Sequence, residues 1–181
     1  APIRTGTIQL TKVDENGAPL PGVCFALYDS GKNEIQNGQT DANGAVSFEV
    51  PIGDYFYAET ATLPHLVLDS TLYPVSVTEG GQLVAKTVVN EFARGNLKIV
   101  KRDAYEDTPL SGAGFRLLDS DGQQIAEGYT DVNGELTFES LLYGSYSYQE
   151  FAPPKGYELD DAVYPFSITE HGVTVTQERD N

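Results

Sequence analysis

The chain has no methionine and no tryptophan, one cysteine, Cys24, and two histidines, His65 and His171. A lone cysteine excludes an internal disulfide framework and any cysteine-based zinc site. Two histidines leave too little for a histidine metal cluster, so no metal and no cofactor is expected. Basic residues are also scarce. Eleven Lys and Arg stand against 27 Asp and Glu, a net charge of −16 over 181 residues. That deficit excludes nucleic acid as a partner, because phosphate contacts need clustered Lys and Arg. It argues equally against an anionic membrane surface. No apolar run reaches the 18 residues of a spanning helix, so no membrane insertion by this segment is expected. An initiator methionine and a signal peptide are both missing, which reads as an excised or processed piece of a longer protein.

What is present leans towards strands and turns. There are 18 glycines, 10 prolines, 8 phenylalanines and 11 tyrosines. The sequence also repeats itself, the strongest organisational signal in it. Thr40-Asp41-Ala42-Asn43-Gly44 recurs as Thr130-Asp131-Val132-Asn133-Gly134. Pro19-Leu20-Pro21-Gly22 recurs as Pro109-Leu110-Ser111-Gly112, and Phe25 as Phe115. The segment from Gly53 to Glu59 recurs from Gly144 to Glu150, and Tyr73-Pro74 as Tyr164-Pro165. The offset drifts from 89 to 91, so two single-residue insertions account for it. Two domains are expected, 1–92 and 93–181, joined across Glu91 to Arg94. Asn16-Gly17, Asn43-Gly44, Asp121-Gly122 and Asn133-Gly134 are tight-turn dipeptides. Short alternating runs lie between them, and no long segment keeps a 3.6-residue apolar period. The expected fold class is all-β, with about seven short strands per repeat in a β-sandwich.

Strand alternation then exposes an anomaly. Ile8, Leu10 and Lys12 share one face of the first strand; Leu97, Ile99 and Lys101 do so in the second repeat. Both lysines therefore extend a core-directed row. Tyr55, Tyr57 and Glu59 share a face, as do Tyr146, Tyr148 and Glu150. A charge buried without a partner costs several kcal/mol. Three readings are open. Each head group reaches water at a strand end, or the two form a buried salt bridge, or the burial is used chemically. Desolvation disfavours the charged form of either group. A neutral amine is a nucleophile, and a neutral carboxylic acid donates to a carbonyl oxygen and relays protons. With a side-chain amide or acid on a neighbouring strand, the product is a Lys–Asn or Lys–Asp isopeptide bond. Thr78 to Asn90 aligns without gaps on Thr169 to Asn181, which makes Asn90 and Asn181 equivalent candidates. Alternation is weak there: Lys86 interrupts the row of Val84, Val88 and Asn90. Gln177 and Arg179 interrupt that of Val173, Val175 and Asn181. Asp180 competes with Asn181.

These residues carry a resemblance. Lys12-Val13-Asp14, Pro19 to Phe25, Thr40 to Gly44 and Tyr55 to Glu59 occur in that order. Lys101-Arg102-Asp103, Pro109 to Phe115, Thr130 to Gly134 and Tyr146 to Glu150 follow, with Ala152-Pro153-Pro154-Lys155-Gly156-Tyr157 after them. The ordered set, seen twice, resembles the Cna B-type domains, also called SpaA-type or prealbumin-like, of Gram-positive surface adhesins and pilins. The resemblance implies two tandem reverse-immunoglobulin-like sandwiches. It also implies a spontaneous bond between a first-strand Lys and a last-strand Asn, promoted by a Glu from the facing sheet. Mapped onto this sequence, these are Lys12, Glu59 and Asn90, then Lys101, Glu150 and Asn181. The first repeat departs from the pattern after Glu59, with Thr60-Ala61-Thr62-Leu63-Pro64-His65. Neither a sortase sorting signal nor a Tyr-Pro-Lys pilin motif is present.

Other signals read as structural. Asp14 to Gly17 and Asp119 to Gly122 lack full calcium-loop spacing and are expected to be hairpin turns. Cys24 is expected to be a small buried hydrophobe, and the histidines to be solvated. The implied function is a stalk or backbone segment of a cell-surface adhesin or pilus, extracellular and attached to the cell wall through other parts of the parent protein. Its partners would be neighbouring domains of that protein. The alternative is an adhesin module gripping a host matrix protein or glycan through its loops. No enzyme is expected, because Glu59 and Glu150 sit in separate repeats and the bond forms once, without turnover.

Overall fold

The computed structural model of the chain describes residues 2–181. It divides into two compact units between Phe92 and Ala93. Every regular element among the described residues is a strand.

Domain 1 contains β1 (Thr5–Asp14), β2 (Cys24–Asp29), β3 (Glu34–Gln39), β4 (Ala45–Pro51), β5 (Gly53–Ala61), β6 (Tyr73–Val77) and β7 (Leu83–Asn90). They form two sheets, in the orders β4-β1-β7 and β3-β2-β5-β6. The larger sheet is antiparallel throughout. In the smaller one β1 runs antiparallel to β4 but parallel to β7. First and last strands are therefore direct neighbours, which decides where their side chains can meet.

Domain 2 repeats the plan with β8 (Arg94–Arg102), β9 (Gly114–Leu118), β10 (Gln124–Tyr129), β11 (Glu135–Leu142), β12 (Gly144–Ala152), β13 (Val163–Ile168) and β14 (Thr174–Asp180). Its sheets are β11-β8-β14 and β10-β9-β12-β13, and β14 is parallel to β8. Seven strands per domain match the number of alternating runs in the sequence.

Alternation explains the cores. Along β1 the buried residues are Gly6, Ile8, Leu10 and Lys12, every second position. Ile8 and Leu10 pack with Phe25 and Leu27 of β2, Phe48 and Val50 of β4, and Val75 and Val77 of β6. Leu97, Ile99, Phe115, Leu117, Tyr148 and Phe166 do the same in domain 2. Full burial of such a side chain stabilises by about 1.5–3 kcal/mol. The turn dipeptides behave as expected: Gly17, Gly44, Gly122 and Gly134 all have φ between 73° and 84°.

The candidate calcium segments are turns. Asp14 Oδ1 accepts from the Asn16 and Ala18 amides, and Asp119 Oδ1 from those of Asp121 and Gln123. Cys24 differs from its expected burial. It is half-buried: it opens β2 opposite Gln39 of β3 and Ala61 of β5, one residue before core-facing Phe25. His65 and His171 are both exposed. His65 stacks on Phe92, while His171 Nδ1 accepts from the Arg94 amide. No helix among the described residues is long and apolar enough to cross a membrane.

Candidate functional site

The repeated motifs converge on the main chain of one lysine in each domain. The Lys12 amide donates to Gly44 O at 2.7 Å, and Lys12 O accepts from the Leu20 amide at 2.9 Å. Lys101 is held the same way by Gly134 O at 2.8 Å and the Leu110 amide at 2.9 Å. Gly44 is required here twice over. Its φ is +75°, and a Cβ would stand 2.5 Å from Lys12 O. Buried Thr40 ties the second clamp down, donating to Leu20 O at 2.6 Å and accepting from the Val23 amide at 2.9 Å. Thr130 does so with Leu110 O and the Ala113 amide. The Thr-Asp-x-Asn-Gly and Pro-Leu-x-Gly motifs thus fix where the lysine side chain starts.

Both lysines point inward. Lys12 is 0 % exposed, Glu59 3 % and Asn90 1 %; Lys101 is 1 % and Glu150 2 % exposed. Lys12 Nζ lies 3.4 Å from Glu59 Oε1, and Lys101 Nζ 3.3 Å from Glu150 Oε1. Cross-strand register sets Phe25 opposite Glu59 and Phe115 opposite Glu150. These rings floor the site, 5.7 and 5.8 Å from the two amines. Lys12 Nζ makes no well-formed hydrogen bond. Burial lowers the Lys12 pKa from its ordinary value, opposed by the negative charges of Glu59 and Asp69.

Domain 1 brings its third candidate into contact. Parallel pairing sets Lys12 beside Val88 and Asp14 beside Asn90. Asn90 Nδ2 donates to Glu59 Oε1 at 2.6 Å and to Thr62 Oγ1 at 2.9 Å, while Asn90 Oδ1 has no partner. In this orientation the amide N–H donates and Glu59 Oε1 is the acceptor. A half-turn about the terminal bond exchanges the two atoms. Oδ1 would then face both Glu59 and the Thr62 hydroxyl, able to accept from a protonated carboxyl.

Domain 2 assembles the pair but not the amide. The Asn181 amide donates to Arg102 O and Asn181 O accepts from Ala104, so its main chain continues the β8–β14 ladder. Its side chain, however, donates to Glu158 O at 3.2 Å. Two local differences accompany this. Thr62, which holds Asn90, has Pro153 at the corresponding position. Val88, beside Lys12, is replaced by Arg179 beside Lys101. Arg179 stacks 3.7 Å over the Tyr164 ring and donates to Tyr148 Oη at 2.9 Å. Asp180, the competing acceptor, is exposed on the face of β14 opposite Arg179.

Sequence reasoning missed Thr62 and a second pair of groups. Glu59 Oε2 accepts from the Asp69 amide at 2.9 Å, and Glu150 Oε2 from the Asp160 amide at 2.9 Å. Asp69 and Asp160 accept in turn from the hydroxyls of Tyr73 and Tyr164. The available signal was an Asp four residues before each Tyr-Pro.

Comparison with known proteins gives this arrangement a place. The family model described as the SpaA prealbumin-like fold domain matches residues 6–91 and again 95–181. The chain belongs to this family. A collagen adhesin of Staphylococcus aureus is 33 % identical over 82 residues, covering 41 % of this chain and 7 % of that protein. Serine-aspartate repeat-containing protein C of Staphylococcus aureus strain MW2 is 29 % identical over 158 residues, 77 % of this chain and 16 % of that protein. The solved structure of the Bacillus anthracis TIE protein superposes with a TM-score of 0.82 at 29 % identity, covering 98 % of this chain and 34 % of that one. The prealbumin-like chain thus spans a minor part of each of these relatives.

Proposed function

We propose that this chain is a load-bearing stalk segment of a Gram-positive surface adhesin or pilus, cross-linked within each domain by a Lys–Asn isopeptide bond. One observation carries the reading: Lys12, Glu59 and Asn90 meet buried, on two neighbouring parallel strands and the facing sheet. Adhesin relatives and the tandem family match support the surface setting. The segment would be extracellular, held to the cell wall through other parts of the parent protein, with neighbouring domains as its partners.

The chemistry follows from the geometry. A proton passes from Lys12 Nζ to Glu59 Oε1, leaving an amine and a carboxylic acid. With the Asn90 amide turned, Glu59 donates to Oδ1 and makes Cγ electrophilic. The Lys12 lone pair attacks Cγ, and the new C–N bond gives a tetrahedral centre. Glu59 then carries a proton from the former lysine nitrogen to Nδ2. The Cγ–Nδ2 bond breaks and ammonia leaves. The amine and amide become one secondary amide plus ammonia, and Glu59 returns to a carboxylate when the proton it took from Lys12 leaves with the ammonia as ammonium. Burial helps throughout, because the charged starting pair loses more hydration than the neutral reacting pair.

In domain 2 Lys101 Nζ lies 3.3 Å from Glu150 Oε1, much as Lys12 lies from Glu59, and Asn181 holds the matching main-chain position. Rotation of its side chain away from Glu158 O completes the set.

Intact-mass spectrometry tests the reading. Two bonds place the mass two ammonia masses below the sequence mass. A single deficit, with the cross-linked peptide mapped to Lys12 and Asn90, restricts the reaction to domain 1. Loss of ammonia and water would make Asp180 the second acceptor, and an unshifted mass would reject the cross-link.

A further inference from the structure

Each buried glutamate has two oxygens with different neighbours. Glu59 Oε1 faces the reactants, 2.6 Å from Asn90 Nδ2 and 3.4 Å from Lys12 Nζ. Glu59 Oε2 faces away and accepts the Asp69 main-chain N–H at 2.9 Å. An oxygen occupied by a donor cannot itself point a proton along the same line, so once the Asn90 amide is turned, that N–H leaves Oε1 as the oxygen to carry the proton.

The Asp69 amide is aimed by its own side chain. Asp69 Oδ1 accepts from the Thr71 amide at 3.0 Å, closing a tight turn, and Oδ2 accepts from the Tyr73 hydroxyl. Tyr73 stacks on Tyr57, whose ring lies 5.5 Å away and two residues before Glu59 on β5. The Tyr73 hydrogen bond is the main cause holding the Asp69 carboxyl below its ordinary pKa.

Domain 2 builds the same device from different surroundings. Asp160 N donates to Glu150 Oε2 at 2.9 Å, Asp160 Oδ1 accepts from Ala162 at 3.1 Å, and Oδ2 accepts from Tyr164. Tyr164 stacks on Tyr148 at 5.4 Å. The loops before it, Thr60 to Leu68 and Phe151 to Leu159, share little sequence. The clamp recurs although its loop does not.

We propose that Asp69 with Tyr73, and Asp160 with Tyr164, are positioning residues that confine the proton of Glu59 and Glu150 to Oε1, the oxygen facing the lysine and the amide. This rests on the cross-linking reading. The aspartates touch neither reacting atom and act only through the glutamate. The confinement matters because a proton on Oε2 would point at a main-chain nitrogen, where it polarises nothing.

The test uses the whole two-domain chain, made in a cell-free reaction and sampled over time for intact mass and mapped peptides. Circular dichroism monitors folding. Asp69→Ala deletes both acceptors of the turn and should slow Lys12–Asn90 formation at least tenfold. Asp69→Asn keeps the Oδ1 acceptor for Thr71 and should stay within about threefold of the parent rate. Tyr73→Phe keeps the ring stack and removes only the hydroxyl, and should slow the reaction severalfold in a folded domain. If Asp69→Ala does not fold, Tyr73→Phe against Asp69→Asn decides. Folded Asp69→Ala or Tyr73→Phe protein bonding at the parent rate would overturn the positioning role alone. Equal slowing by Ala and Asn would assign the effect to charge and overturn it too. A parent chain that never loses ammonia would overturn both this role and the cross-link.

Discussion

Replacing Asn90 by Ala removes the acceptor of domain 1 and leaves the Lys12–Glu59 pair in place. The proposed bond joins residues 12 and 90, closing a loop of about 80 residues, so losing it releases about 4.5 kcal/mol of chain entropy into the unfolded state. In a domain of this size each kcal/mol moves the melting point by about 4–8 °C, so the domain 1 transition should fall by roughly 20–35 °C. A chain without the bond would also lose stability on this substitution. It would forfeit the Asn90 hydrogen bonds to Glu59 and Thr62, about 2–4 kcal/mol together. Stability alone therefore separates the cases poorly.

The slope of urea unfolding separates them well. A cross-link keeps the unfolded chain compact and lowers the surface exposed on unfolding, hence the m-value. Lost hydrogen bonds leave it unchanged. The Asn90→Ala domain should therefore unfold with a steeper slope as well as an earlier midpoint. The measurement is urea unfolding of mass-verified parent and variant, followed by near-ultraviolet circular dichroism. Equal slopes for a parent with a verified ammonia deficit would refute the chain-entropy reasoning.

Further outcomes follow from the same geometry. Glu59→Ala should abolish the bond in domain 1 only, and Glu150→Ala that in domain 2 only, read by peptide mapping; loss of both bonds in either variant would contradict the independence of the sites. In an unbonded Asn90→Ala chain, Lys12 has its pKa lowered from 10.5 by burial. The unfolded chain then holds the proton to higher pH than the folded one, so stability should rise with pH through the window below 10.5. That rise should vanish in an Asn90→Ala, Lys12→Met double variant, and its persistence would remove Lys12 as the cause. Asp69, whose pKa Tyr73 lowers, should contribute stability that is present above pH 3.8 and lost as pH falls through its folded pKa; in Tyr73→Phe that contribution should be smaller and its loss complete at a higher pH. Single-molecule pulling of bonded protein should extend no domain, whereas Lys12→Ala should restore one unfolding step in domain 1.

Much of the fold was legible because a half-buried strand writes itself at period two. Ile8, Leu10 and Lys12 fall in one row, and so do Tyr55, Tyr57 and Glu59, so the sequence pattern alone sets the lysine and the glutamate on inner faces. The Asn-Gly and Asp-Gly dipeptides marked turns because few other residues adopt their positive φ. Other features had no periodic signature. Asn90 ends its strand, where Lys86 breaks the alternation, and only pairing with β1 tells which way it faces. Asn181 has the same main-chain register, yet its side-chain amide donates to Glu158 O, which no periodic pattern encodes. Asp69 acts through its backbone N–H, which every residue but proline possesses, so its side chain advertised only the turn.

Topology gives the proposed cross-link its mechanical sense. Because β1 and β7 are parallel neighbours, tension that enters before Thr5 and leaves after Asn90 pulls them past one another in shear. Without a bond the ladder between them resists, and once it slips β2 to β6 can be drawn out. A covalent link between Lys12 and Asn90 changes the route. Force would run along β1 to Lys12, cross two side chains and leave through Glu91, so everything from Val13 to Val89 would lie off the load path. A bond elsewhere in the sandwich, such as between β2 and β5, would protect a segment but leave the β1–β7 ladder loaded. The lysine near the end of the first strand and the asparagine at the end of the last are thus the pair whose joining shields nearly the whole domain. In the proposed reaction, buried Glu59 on the facing sheet is the group that would join them.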